Sequence, residues 1–153
     1  RDVNMFSADL SSTDLSFAEL FSADLRSANL YSANLRSANL YSADLRSADL
    51  SFADLSFANL SFANLRFAKI RKDTTITKNP ICISGLGWPI IIWDHHMQIG
   101  CEFHSHSEWR NFDDAEWARM GGKEAVKLRR NFMEALDPMM AAHAPKEMEK
   151  EVA

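Results

Sequence analysis

Five side chains able to hold a metal ion or attack an electrophile fall within twelve residues of one another: His95, His96, Cys101, His104 and His106. Cys101-x-x-His104 has a spacing seen in zinc sites, and His104-x-His106 would put two imidazoles on one side of a strand. Structural zinc sites usually show two well-separated ligand pairs, whereas the second pair here would be the adjacent His95 and His96, whose side chains diverge on a strand. The expectation is that these residues pack and hydrogen-bond in a small core without a cofactor, with zinc as the alternative. A nucleophile reading of Cys101 with His96 or His104 finds no legible oxyanion hole or substrate pocket. Gly85-Leu86-Gly87-Trp88 has neither the length nor the lysine of a phosphate-binding loop. No catalytic residue is assigned.

The element that must carry this cluster begins far upstream. Between Val3 and Ile70 an apolar residue returns at every fifth position, from Met5, Leu10, Leu15 and Leu20 to Leu65 and Ile70, inside the repeating sentence Ala-Asp/Asn-Leu-X-X. A period of five matches neither the 3.6 residues of a helix nor the two of a strand, so neither element keeps those leucines on one buried side. The chain must coil. If each pentad turns a corner into the next, four make a coil, every leucine points to a common axis, and each coil contacts only its neighbours. The alanine two before each leucine, Ala8 through Ala68, points inward where only a small side chain fits. The Asp or Asn just before each leucine bonds its short side chain to nearby backbone at the turn.

This pattern resembles the pentapeptide repeat family, and the resemblance covers roughly the first 70 residues. It implies an all-β solenoid, a right-handed quadrilateral β-helix, over residues 1–71. The chain starts at Arg1 with the repeat already in register by Val3, which reads as a piece of a longer solenoid whose first coil needs a cap, a partner or more repeats.

Residues 20 apart then lie above one another, ~4.8 Å apart. Arg26, Arg46 and Arg66 form a column headed by Phe6, and Phe21 and Tyr41 stack on the preceding face. Asp24 and Asp44 sit beside two of the arginines, so the bland reading is a partly self-neutralised face and the sharper one a docking stripe for an acidic partner. The last pentad position is mostly Ser until it becomes Phe in four consecutive pentads, Phe52, Phe57, Phe62 and Phe67. These rings girdle the solenoid once, an exposed belt that something should cover; the simplest cover is the C-terminal part of the same chain. Arg26, Arg46, Arg66, Phe21, Tyr41 and the four belt residues are the candidate partner-binding set.

Eight acidic side chains face seven basic ones over residues 1–71. Family members that bind gyrase or topoisomerase IV look like double-stranded DNA and carry strongly negative faces; a solenoid of about 3.4 coils, roughly 16 Å tall, has the shape without that charge, which weakens DNA mimicry. The whole-chain net charge of −4 neither predicts nor excludes a nucleic-acid partner, and direct nucleic-acid binding is not expected. No apolar run approaches the ~20 residues of a membrane span, and no signal peptide is read. Two cysteines without disulfide-type spacing fit a reducing cytoplasm.

The period stops at Arg71-Lys72-Asp73. Residues 72–138 read as a small α+β module: β-branched stretches at Thr74–Thr77 and Ile81–Ser84, strands at Trp88–Trp93 and His96–Cys101, and a small antiparallel sheet laid on the last coil. Ser105-x-x-Glu108 and Asp113-x-x-Glu116 have capping-box spacing, Gly121-Gly122 interrupts, and Ala125, Leu128, Phe132 and Leu136 recur at helical intervals. Pro138 and Pro145 are expected to end regular structure, leaving a helical or disordered tail over residues 139–153. The segment His96 to Cys101, with His104, Trp109, Phe112 and Asp113, is similar to a C-terminal module attached to pentapeptide repeats in bacterial and phage proteins, over residues 81–136. Asp94-His95-His96 spells the signature of one phosphoesterase family, whose further Asp and His motifs are missing here.

The leading functional expectation is a non-enzymatic interaction protein. Its rigid coil would bind or inhibit a protein partner, in a phage setting a host topoisomerase or defence nuclease, and its C-terminal module would pair two copies. The alternatives are a metal- or cysteine-dependent enzyme centred on residues 95–106 and a structural assembly protein.

Overall fold

The computed structural model describes residues 3–71 and 74–144 of the 153. From Asn4 to Lys69 the backbone forms a ladder of parallel bridges, each joining residues 20 apart: Asn4 to Asp24, Asp24 to Asp44 and Asp44 to Asn64 on one face, and corresponding sets on the others. Four pentads therefore make one coil of a β-helix. From Leu10 to Leu45 each leucine N–H donates to the carbonyl of an Asp or Asn one coil on, as in Leu25 to Asp44 and Leu45 to Asn64, both 2.8 Å. Each corner closes by a bond from the alanine N–H to the preceding leucine carbonyl, 3.0 Å for Ala48 to Leu45. Leu25, Leu30, Leu35, Leu40 and Leu45 are fully buried, and Ala23 through Ala48 fill the gaps between them. Met5, Leu10 and Leu15 in the first coil are only half-buried.

The corners owe their shape to two residues. Asn4, Asp9 and Asp14 each accept the N–H two residues on, at 3.0, 3.1 and 2.9 Å, closing a local side-chain turn. The last pentad position takes a positive φ in every repeat from Ser7 (55°) to Phe67 (65°), a region that side-chain-bearing residues enter at some cost. Inter-coil bonds from these residues over Ser7 to Ser47, such as Ser27 N–H to the Arg46 carbonyl at 2.9 Å, hold them there, and Phe67 N–H donates to the Ile76 carbonyl at 2.8 Å.

The last coil is closed from within the chain. Strands β1 (Lys69–Arg71) and β2 (Thr74–Thr75) pair antiparallel, Ile76 is buried over the shaft, and the Asn79 side chain accepts the Leu65 N–H at 2.9 Å. A four-stranded antiparallel meander follows, with β3 (Ile81–Ile83), β4 (Ile90–Ile92), β5 (His96–Ile99) and β6 (Glu102–Ser105) in that order. Its registers put Cys82, Ile91 and Phe103 on one face, which joins Trp93 in packing on the β-helix core. The other face, with Ile90, Ile92, Met97 and Ile99, packs under two helices.

Both capping boxes form. Ser105 and Glu108 start α1 (His106–Asn111), and Asp113 and Glu116 start α2 (Asp114–His143). The glycine interruption is a kink inside α2: Gly122 adopts φ 63° and ψ −152°, a backbone only glycine enters readily. Pro138, expected to stop the helix, instead lies inside it, and α2 runs on to His143. Its far end is fastened to the β2–β3 connection, where the Lys78 ammonium donates to the carbonyls of Ala142, His143 and Ala144. Ammonium groups favour a helix C-terminus, and this contact outweighs the loss of one proline N–H. Pro145 and the tail beyond it lie outside the described residues.

Two stability effects follow. Leu45→Ala should cost about 2–5 kcal/mol in denaturant unfolding, while Leu10→Ala, half-exposed in the first coil, should cost clearly less. Gly121→Ala would set a Cβ 2.9 Å from that of Ala125 and 3.2 Å from the Trp88 ring, and should cost about 1–3 kcal/mol as an overpacked site.

Candidate functional site

The His/Cys cluster is taken apart by the fold. His96 lies on the β-helix face of the sheet, where it stacks on Phe103 at 5.0 Å. His104, on the opposite face, meets the edges of Trp109 and Phe112 at 5.1 and 4.9 Å. Register explains the split: Met97 pairs with His104 and His96 with Ser105, so the two imidazoles point to opposite sides. His106 is not on a strand beside His104, as its spacing suggested, but opens α1, and its Nε2 donates to the His96 carbonyl at 2.8 Å. His104 Nε2 donates to Glu102 at 3.1 Å. Cys101 sits exposed in the β5–β6 turn. Among the described residues no three His, Cys, Asp or Glu side chains converge to hold a metal ion.

The candidate surface lies on the β-helix. Phe21 and Tyr41 stack in parallel with centroids 5.5 Å apart and planes 9° apart, as their 20-residue spacing requires, and Phe62, one position off that column, meets Tyr41 at 5.2 Å with its ring tilted by 59°. Tyr31 meets Phe52 edge-on at 5.4 Å. In the arginine column, Arg26 and Arg46 each hold the aspartate two residues back, Asp24 and Asp44, at 2.6 Å. The hydrogen-bonded Arg26 guanidinium pulls the Asp24 carboxyl down to about 2. Arg26 also lies over Phe6 at 5.3 Å and Arg66 over Phe67 at 5.4 Å. Two of the three arginines are thus already neutralised, as the bland reading of the sequence had it.

The phenylalanine belt is not covered by the C-terminal module, contrary to expectation. Phe52, Phe62 and Phe67 remain 65%, 80% and 56% exposed, and only Phe57, at 39%, is partly screened. Phe57 lies under Arg36, 5.2 Å above its ring, and beside Trp88 and Gly100. The module sits on the buried shaft, whereas the belt is carried at the positive-φ corners, which project outward. Phe17, at the same pentad position and on the same face as Phe57 two coils earlier, is also exposed, at 72%. Sequence reading missed it because it stands alone among serines, although its pentad position was the available signal.

Burial, with Arg71 close by, pushes the His96 imidazole down to about 4, and burial also lowers His106 and His143. A histidine whose folded pKa is depressed binds its proton more readily in the unfolded chain, so stability falls as pH drops from about 6.5 toward 4. Thermal unfolding should therefore show a lower midpoint at pH 5 than at pH 7, and His96→Gln should flatten that dependence. An unchanged slope in the variant would remove His96 from the account.

The family model for pentapeptide repeats matches residues 4–41 and 38–72, with eight copies counted. Among solved structures, a pentapeptide repeat protein of the Arabidopsis thaliana thylakoid lumen is 35% identical over 46% of this chain and 49% of its own, with a TM-score of 0.45. A cyanobacterial counterpart from Cyanothece is 38% identical over 47% of this chain and 56% of its own, with a TM-score of 0.39. One from Nostoc, involved in heterocyst differentiation regulation, is 36% identical over 47% of this chain and 32% of its own, with a TM-score of 0.34. This chain thus spans about half or less of each of those proteins. No curated protein matches it. The 20-residue ladder and the matched repeats agree: over residues 4–72 this chain is a member of the pentapeptide repeat family.

Proposed function

We propose that this chain is a non-enzymatic protein-interaction module, whose β-helix, read as the right-handed four-sided coil of its family, presents an aromatic belt to a protein partner. One observation carries the reading. Phe52, Phe62 and Phe67 are exposed aromatic rings held at positive φ, at a position that serine fills in every repeat from Ser7 to Ser47 except at Phe17. Such rings gain little packing within the chain and carry backbone strain, a combination typical of surfaces selected for binding. Aromatic anchors are also what protein interfaces concentrate their energy in. Arg66, stacked on Phe67, gives the belt one cationic rim; Arg26 and Arg46 are held by their aspartates and are the weaker part of the set.

Residues 81–136 are similar to modules of bacterial and phage proteins, and in a phage setting the partner class is a host protein, with a topoisomerase or a defence nuclease as the first candidates. The near-balanced charge of the coil favours docking by apolar contact over imitation of DNA. We place the protein in the cytoplasm on its two unpaired cysteines; among the described residues no helix is long and apolar enough to cross a membrane.

Affinity capture from host lysate tests this. Phe52→Ser with Phe67→Ser restores the residue used at those corners elsewhere, so the fold should hold while recovery of the bound protein drops about tenfold or more. Arg26→Glu with Arg46→Glu should leave recovery nearly unchanged. Equal capture by the phenylalanine variant would contradict the proposal.

A further inference from the structure

The sheet has an open edge at β3, and alternation of its hydrogen bonds identifies which groups that edge offers. Trp93 N–H donates to the His96 carbonyl and Gly100 N–H to the Pro89 carbonyl, so the bonded pairs between β4 and β5 fall at residues 89, 91 and 93 of the first strand. Ile90 and Ile92 must then turn their backbone groups the other way, to Ile83 and Ile81 of β3. The N–H and C=O of Cys82, between those two, project outward from the sheet. Among the described residues nothing hydrogen-bonds them. A row of unpaired strand groups is a template for another strand.

Beside this edge runs a cleft of about 410 Å³, floored by Phe57, Leu60, Ser61 and Phe62 of the last coil, with Tyr41 below and Cys82 and Ser84 on the strand side. Its lining contains no Asp, Glu, Lys, Arg or His. Outside this strip charge is frequent, with a quarter of all residues ionised.

We propose that β3 pairs antiparallel with β3 of a second copy of this chain, forming a twofold dimer with a continuous eight-stranded sheet. A twofold interface sets a surface against itself, so any charge near the axis meets its like; an uncharged strip is what such contact requires. The sequence is also suited to its own reversal. Pairing centred on Cys82 sets Ile81 opposite the second copy's Ile83 and lets the Cys82 N–H and C=O satisfy those of the other Cys82. The incoming strand lies in the cleft and covers part of Phe62 and Tyr41, apolar surface that β3 alone leaves open. The belt positions Phe52 and Phe67 lie outside this cleft, so the dimer does not depend on the partner reading above.

Sedimentation of the full chain across the micromolar range tests it. The expected mass is twice 17.3 kDa. Ser84→Pro removes an edge donor while leaving the bonds from β3 to β4 intact, and Ser61→Arg puts charge into the cleft at a pentad position where the coil already accepts Arg26, Arg46 and Arg66. Each should return a monomer that keeps the wild-type circular-dichroism spectrum but unfolds at a midpoint that no longer rises with concentration, and the second stands if the first fails to fold. Phe52→Ser with Phe67→Ser should stay dimeric, so loss of partner capture and loss of dimerisation read separately. Hydrogen exchange gives an independent check, since the Cys82 amide should become protected as concentration rises. A wild-type chain that sediments at 17.3 kDa throughout, a dimer that survives Ser61→Arg, or a Cys82 amide whose exchange ignores concentration would each overturn the proposal.

Discussion

Everything in this molecule depends on one bond repeated: a leucine N–H reaching the carbonyl of the residue that precedes the leucine one coil on, as Leu25 does to Asp44. That bond sets the rise between coils, and the rise decides which side chains stack. With the rise set, leucine and alanine fill the shaft, the Asp and Asn side chains close each corner, and the outward positions become columns whose content the sequence is free to choose. Stability and recognition thus use different residues of the same pentad, and surface columns can change while the shaft does not.

That separation explains how much was legible. A fivefold period excludes helix and strand alike, so the coil, its buried Leu and Ala, and the Phe21–Tyr41 stack all follow from spacing. The two capping boxes could be read because their chemistry is local, needing only Ser105 with Glu108 and Asp113 with Glu116. The positive φ at Ser7 through Phe67 was hidden, because no glycine marks it; the strain is held by inter-coil bonds rather than signalled by residue type. Pro138 misled for a related reason. A helix interior tolerates proline when tertiary contacts hold its ends, and Lys78, which caps the carbonyls of Ala142 to Ala144, is far away in sequence.

The histidine cluster shows the limit of reading proximity as assembly. Four histidines and a cysteine within twelve residues suggest a site, but a strand alternates its faces and a hairpin inherits that alternation. His96 and His104 end on opposite faces of one sheet, in contact with different cores. The belt misled in the opposite direction. Four phenylalanines in a row suggested surface waiting for the C-terminal module, yet the module covers the shaft and leaves the corners bare.

The central claim is the 20-residue winding, and scalar couplings across hydrogen bonds test it most directly. In an isotopically labelled sample the account predicts couplings from the Leu25 amide nitrogen to the Asp44 carbonyl carbon and from Leu45 to Asn64, a separation of nineteen residues in each pair. Couplings that instead join residues four apart along residues 4–70, or Leu25 and Leu45 amides that couple to carbonyls at any other separation, would contradict it.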